Sequence, residues 1–430
     1  MIHLIFCIFL FLLGASFGSF LNVVVWRLPR WGFSSLASPP SHCPECEHRL
    51  AWRDNIPVFG WIFLKGRCRY CAQPISVRYP IVEGVTGTLF VFYYLMFFVY
   101  HLSPCAPAPT GKLDIFGRII YEPRLMMGIF QDWPIFSLYL FLVWCLLAVS
   151  LIDAELFEIP LIIPWAMAAL GIVVHTLIDS PMVPGALNLT DPMGISAGLA
   201  AGGAVGLILS IALYQKGIIP EAFADGEPGL EVDELAYAAA VSAAKEQGHE
   251  PPQRPTTRDY TKSEIRGEIR KEIMFLLPPL LCSLVAAWAT QSLPGLNRAW
   301  RGVLQYHWLT GLMGAALGAM VGAMVVWLAR ILGTLAFGRV AMGLGDVHLM
   351  FGVGAIIGGG AATVAFFLAP FMGLLVGLYM LIFRKRHELP YGPYLSLATG
   401  AVILFYCPIS QYLQPGIQGL LQIVQGLVGA

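Results

Sequence analysis

Charge is what this sequence has least of. Asp, Glu, Lys and Arg make up 12% of its 430 residues, about half the share of a soluble domain. The 26 acidic and 26 basic residues cancel, so there is no basic surplus to neutralise phosphates, and no nucleic-acid partner is expected. A Gly-rich nucleotide loop and a Rossmann-type alternation of strands and helices are also missing. No Lys or Arg precedes the first apolar run, where a secretory signal would carry one. Apolar side chains fill the gap: 57% of residues are hydrophobic and the mean hydropathy is +0.71, the composition of a chain built for the bilayer.

Charge-poor runs of about 20 residues, the length needed to cross a bilayer, stand at 2–25, 84–101, 134–152, 159–178, 194–214, 273–292, 308–329 and 394–413. The block 347–383 is too long for one helix and reads as a hairpin turning near Gly358-Gly359-Gly360. The expected fold is an all-α polytopic bundle of about 8–10 spans. Residues 1–26 form a retained first span, 27–82 a loop, 83–214 and 273–413 two sets of spans, 215–272 a polar insert and 414–430 an apolar tail suited to an interfacial helix. The segment 27–80 holds eight Lys/Arg against three Asp/Glu, which places it in the cytoplasm. Counting crossings then puts 153–158, 215–272, 330–346 and the basic "RKRHE" at 384–388 inside as well.

The insert holds 20 of the 52 charged residues, and its Pro-rich centre has the composition of a partly disordered linker. Its end, "TKSEIRGEIRKE", spaces Lys262, Arg266 and Arg270, and Glu264, Glu268 and Glu272, four apart. A helix there separates the signs on opposite faces and reads as a solvated lead-in to the next span, or else as a basic face on anionic lipid. Gly194, Gly198, Gly202 and Gly206 form one glycine stripe, and Gly314, Gly318 and Gly322 another. Small residues on one helix face let backbones approach closely in lipid.

Within the first loop, Cys43-x2-Cys46 and Cys68-x2-Cys71 are separated by twenty-one residues, a spacing that fits one tetrahedral zinc site of four thiolates. Lys65, Arg67, Arg69 and Arg53 lie close by in sequence and offset the negative charge of four thiolates and a divalent ion. A pair of redox-active dithiols is the competing reading. A closed four-Cys site leaves no coordination position open, so its role is to fold the loop. Cys7, Cys105, Cys145, Cys282 and Cys407 read as small core residues.

Two aspartates stand against the apolar background. Asp153 follows the uncharged run 134–152, and Asp346 follows Gly343 and Gly345 in "AMGLGDVHLM". Four predicted crossings separate them, and an even number returns the chain to the same face. Carboxyls at the edge of hydrocarbon are candidates for function. Two of them brought together share one proton, making a general acid and a general base that can hydrolyse an amide. The glycines would let a substrate strand lie beside Asp346. In the plainer readings Asp346 caps a helix beginning at Val347, and Asp153 marks where a span meets water.

These residues resemble a known family, the bacterial type IV prepilin peptidases, polytopic aspartyl proteases of the GxGD class. "GASFGSFLNVVVWRLPR" is similar to its opening span, "CPECEHRLAWRDNIPVFGWIFLKGRCRYCAQPISVRYPIVE" to its zinc loop, "LIDAELFEIP" and "GLGD" to its two catalytic stretches, and "LPYGPYLSLATG" to the start of its final span. The resemblance implies Asp153 and Asp346 as the catalytic pair. It also implies cleavage of a basic leader from prepilins or type II secretion pseudopilins at the cytoplasmic face of the inner membrane, zinc on the four cysteines, and methylation of the new N-terminus from S-adenosylmethionine. Glu155 and Glu158 would attract that leader, or else are merely solvated. The chain departs from the pattern at Leu161, where Asp is usual after Ile159-Pro160, and at His348, where Lys is usual. The segments 102–132 and 215–272 are longer than the family requires. The alternative from another class is a transporter or assembly scaffold whose carboxylates bind a proton or ion; a decayed peptidase retained for assembly is a third.

Overall fold

The computed structural model describes residues 2–36, 41–43, 45–100, 106–113, 119–124, 129–178, 195–223, 241, 261–303, 306–379, 390–405, 409 and 412. The centre of the polar insert, "RKRHE" at 384–388, the apolar tail 414–430, Gly194, Cys105 and Cys407 lie outside the described residues. The helices are α1 (Ile2–Trp31), the short α2 (Phe59–Phe63), α3 (Arg78–Phe98), α4 (Ile129–Leu156), α5 (Ile162–Leu177), α6 (Ile195–Gln215), α7 (Lys262–Ser292), α8 (Pro294–Val303), α9 (His307–Phe337), α10 (Leu344–Ile357), α11 (Gly359–Tyr379) and α12 (Gly392–Phe405). Six of them, α1, α3, α4, α6, α7 and α9, are long and apolar enough to cross a membrane, and α5, α10, α11 and α12 are shorter apolar helices. The helical, multi-span expectation holds, and the hairpin turn falls at Gly358, whose φ of +80° ends α10.

One departure from all-helical structure lies in the long segment 102–132, where β1 (Ala106–Leu113) and β2 (Ile119–Arg124) pair antiparallel with Ala106 opposite Arg124. The end of the polar insert is helical and runs without a break into the apolar stretch that follows, as one helix of 31 residues, α7. A capping box opens that helix: the Thr261 hydroxyl accepts from the Glu264 N–H, and the Glu264 carboxylate accepts from the Thr261 N–H, satisfying donors left over in the first turn.

The chain divides into two compact units: residues 1–148 with 181–184 and 396–430, and residues 149–180 with 185–395. In the first, α1 packs on α3 where Gly14 faces the Gly87 backbone and Gly18 faces that of Glu83. Rings of Tyr94, Phe97 and Phe98 meet Phe136 from α4, edge-on at Phe98 with centroids 5.1 Å apart. Edge-to-face geometry of this kind is favoured by the ring quadrupole.

In the second unit both glycine stripes do what small residues do in lipid. Gly198, Gly202 and Gly206 of α6 lie against the backbone of Ala286, Cys282 and Pro278 in α7, and Gly318 and Gly322 of α9 lie against that of Gly354 and Met350 in α10. A Cβ at Gly202 would run into the Cys282 carbonyl. Gly202→Leu is therefore expected to destabilise the protein by about 1–3 kcal/mol or more, read as a fall in thermal midpoint in detergent; an unchanged midpoint would show that this contact is dispensable.

Candidate functional site

The second unit brings the two predicted aspartates together. Asp153 sits in the last turn of α4, which continues to Leu156 instead of ending at the carboxylate. Asp346 sits in the first turn of α10, which begins at Leu344 rather than Val347. Both are buried, and they are close enough to repel each other electrostatically.

Each carboxylate is held by backbone. The Gly392 N–H at the start of α12 donates to Asp153 Oδ2 at 2.9 Å. The Gly343 backbone N–H acts on the Asp346 carboxylate. Gly343 is the N-cap of α10 and Asp346 its third residue, so the aspartate lies inside the first turn and is not itself the cap of a helix beginning at Val347. The contact leaves the carboxylate other lone pairs to offer. Tyr391, next to Gly392, lies within electrostatic reach of Asp346 and donates its hydroxyl to the Phe366 carbonyl at 3.2 Å.

Gly345 has a different task from the one its sequence position suggests. A Cβ there would meet Ile159 at 3.0 Å, so the close neighbour is the protein's own Ile159 and not a substrate strand. Gly343 keeps its open side: a Cβ would find only the Asp346 carboxylate, at 3.7 Å, and the Gly345 nitrogen. His348, one turn along, bonds the Leu344 carbonyl through Nδ1 at 2.8 Å and its ring lies near Trp165.

Gly392 was not singled out by sequence reasoning; its signal is a glycine between two prolines at the mouth of an apolar run. A Cβ on it would fall 2.6 Å from Asp153 Oδ2. If the two carboxylates act on substrate, Gly392→Ala pushes Asp153 aside and lowers kcat by about 100-fold, the cost of displacing a catalytic group by roughly 1 Å, with KM little changed. Full turnover by this variant in a peptide-cleavage assay would contradict that expectation.

The four cysteines of the first loop converge in the first unit. Their sulfurs all lie within 4.8 Å of one another. The local fold repeats itself. The Cys43 N–H donates to the His48 carbonyl and the Glu47 N–H to the Cys43 carbonyl; the Cys68 N–H donates to the Gln73 carbonyl and the Ala72 N–H to the Cys68 carbonyl. Glu47 and Ala72, the corresponding residues, both have positive φ. Two like knuckles thus face each other across one centre.

Metal–thiolate bonds of about 2.3 Å in a tetrahedron put neighbouring sulfurs about 3.8 Å apart, and Cys43 Sγ and Cys71 Sγ lie 3.8 Å apart. Backbone N–H groups of Cys71 and Tyr70 bring the Cys68 thiol down to about 7 against the pull of burial. At Cys71 the Gln73 N–H acts downward, but burial and the neighbouring thiols push the group up to about 12. A central cation would displace the thiol protons on binding. The residues fit a four-thiolate metal ion, and its contribution would be to join the knuckles, with no open position for chemistry. Arg69 is less available to the sulfurs than its sequence position suggests, because Nε pairs with Asp54 Oδ1 at 2.7 Å. Asp54 Oδ2 also accepts from the Tyr70 hydroxyl at 3.2 Å. Burial disfavours that carboxylate, but these bonds from Arg69 and Tyr70 outweigh it and hold Asp54 below the usual range.

Two features of the site were not foreseen. Glu272, expected on a solvated helix face, is buried, and Arg330 is the largest fully buried side chain among the described residues. They pair at 3.0 Å.

Comparison with known proteins finds relatives for the first unit. Residues 12–97 match the family model for the bacterial peptidase A24 N-terminal domain. A Klebsiella pneumoniae protein named prepilin leader peptidase/N-methyltransferase is 56% identical over 87 residues, 19% of this chain and 38% of its own. A Myxococcus xanthus protein of the same name is 55% identical over 86 residues, 20% of this chain and 25% of its own. A type 4 prepilin-like proteins leader peptide-processing enzyme from Escherichia coli is 46% identical over 94 residues, 18% and 35% of the two chains. The chain thus spans between a quarter and two fifths of the length of these relatives, and no solved structure matches it. Residues 12–97, which contain all four clustered cysteines, match the peptidase A24 N-terminal domain, and about a fifth of the chain is similar to bacterial proteins named prepilin leader peptidase/N-methyltransferase.

Proposed function

We propose that the chain is a multi-pass membrane aspartic endopeptidase that removes the basic leader of type IV prepilins or type II secretion pseudopilins, with Asp153 and Asp346 as its catalytic pair. The observation that carries the reading is the approach of these two buried carboxylates in one unit, each steadied by a glycine N–H. The ionised partner takes a proton from water as its oxygen attacks the scissile carbonyl, and the protonated partner donates to the carbonyl oxygen. The proton then passes to the leaving amine as the C–N bond breaks. Hydrolysis at this pair needs no metal. Zinc on Cys43, Cys46, Cys68 and Cys71 would instead hold the loop in shape.

In this reading the carboxylates work at the cytoplasmic face of the inner membrane, the side to which the eight Lys/Arg of residues 27–80 would hold their loop. There a prepilin can keep its apolar helix in lipid while its basic leader stays in water. The name of the relatives adds a second activity to the proposal, methylation of the newly exposed amine with S-adenosylmethionine as donor; no residue of this chain is assigned to it. Purified protein incubated with a prepilin peptide, with and without S-adenosylmethionine, is expected to yield the shortened peptide and a product one methyl group heavier, read by mass. An intact peptide would instead favour a scaffold or ion-binding role.

A further inference from the structure

The buried pair Glu272–Arg330 lies outside the carboxylate dyad and has no part in the hydrolysis just described. Two charges withdrawn from water are poor evidence of added stability, because apolar residues of similar size often serve as well. Their bonds suggest another purpose. Glu272 Oε1 accepts from Arg330 Nε at 3.0 Å, and its other oxygen accepts from Trp327 Nε1, also at 3.0 Å. The guanidinium lies 5.6 Å from the Phe223 ring centroid. Thus fixed on two sides, it donates through Nη1 to the Met342 carbonyl, directly before the Gly343 cap and four residues before Asp346. One turn further along α9, the Thr334 hydroxyl accepts from the Ala341 N–H at 3.2 Å. The segment from Gly338 to Gly343, which contains two glycines and lies between helices, is thereby tied to α9 at two points. The guanidinium charge is also felt at Asp346.

We propose that Arg330, locked by Glu272, is a positioning residue: it holds the Met342 carbonyl and so sets where α10 begins and where Asp346 points. The inference rests on the peptidase reading for its consequence in turnover, but its structural part does not.

Arg330→Met alone leaves Glu272 buried without its cation and is expected to unfold readily. The double variant Glu272→Gln/Arg330→Met removes both charges and keeps an acceptor for Trp327. Its thermal midpoint in detergent is expected to return near that of the unmutated protein. Its kcat for a prepilin peptide should stay about 100-fold low with KM unchanged, and Arg330→Lys, which keeps a donor, should recover part of the loss. Amide exchange in residues 339–346 should rise in the double variant, while α6 and α7 stay protected. A purely structural pair predicts instead that kcat recovers together with the midpoint, and unchanged exchange at 339–346 overturns the proposal whether or not the protein cleaves anything. Undiminished cleavage by Asp346→Asn would sink the peptidase reading and leave the exchange result standing on its own.

Discussion

Asp346→Asn leaves a prepilin-type peptide uncut, with kcat/KM lower by about 10²- to 10⁴-fold, the range expected for loss of a general acid or base. Asparagine has the shape of aspartate and its carbonyl can still accept the Gly343 N–H, so the first turn of α10 keeps its cap and the variant folds. What disappears is the capacity to carry a proton. Asp153→Asn should fall by a similar factor, again with its backbone bond retained, since an amide oxygen can accept from Gly392. Groups that act as one unit are not additive, so the doubly substituted protein should be hardly slower than either single variant. The check is a set of four progress curves; a double variant slowed by the product of the two single effects would mean independent roles.

The second large effect concerns the cysteines. Purified protein is expected to carry one zinc per chain, and Cys68→Ser to lose it. With the metal gone, the segment between the two knuckles should become a site of proteolysis, while helical content by circular dichroism stays nearly constant because the long helices close their own backbone bonds. Chelation should reproduce the variant, and added zinc should reverse chelation but not the substitution. If full-length protein with no bound metal resisted protease as well as the metallated form, the backbone turns alone would be holding the loop, and zinc would have no structural part there.

Some of this architecture is legible from composition and spacing. The cysteines are the clearest case, because two C-x2-C units at that distance already describe a coordination sphere. The aspartates are legible through solvation: a carboxylate amid apolar residues needs a reason, and two of them in such surroundings invite the question whether they meet. Glu272 shows why other parts are hidden. Its sequence neighbours repeat acid and base every four residues, the mark of an exposed helix, whereas its burial depends on Arg330, 58 positions away, and no periodicity encodes such a pairing. Helix ends are obscure for a related reason. Hydropathy sees where charge begins, but α7 starts at a capping box and carries its charged turns into the protein, with Ile265 and Ile269 buried beside Ile331. The pairing of β1 with β2 likewise lies in a segment with no alternating pattern to announce it.

The twin knuckles have a consequence for how the loop comes to be assembled. Each half closes its own small ring of backbone bonds, so the shape of each knuckle is set locally and the ion's part is to join the two. Capturing the ion then requires only that two preshaped pieces meet across the twenty-one intervening residues, and closure entropy grows slowly with such a length. Lengthening that connector by several residues should therefore slow metal uptake only slightly, whereas deforming either small ring should impair it severely.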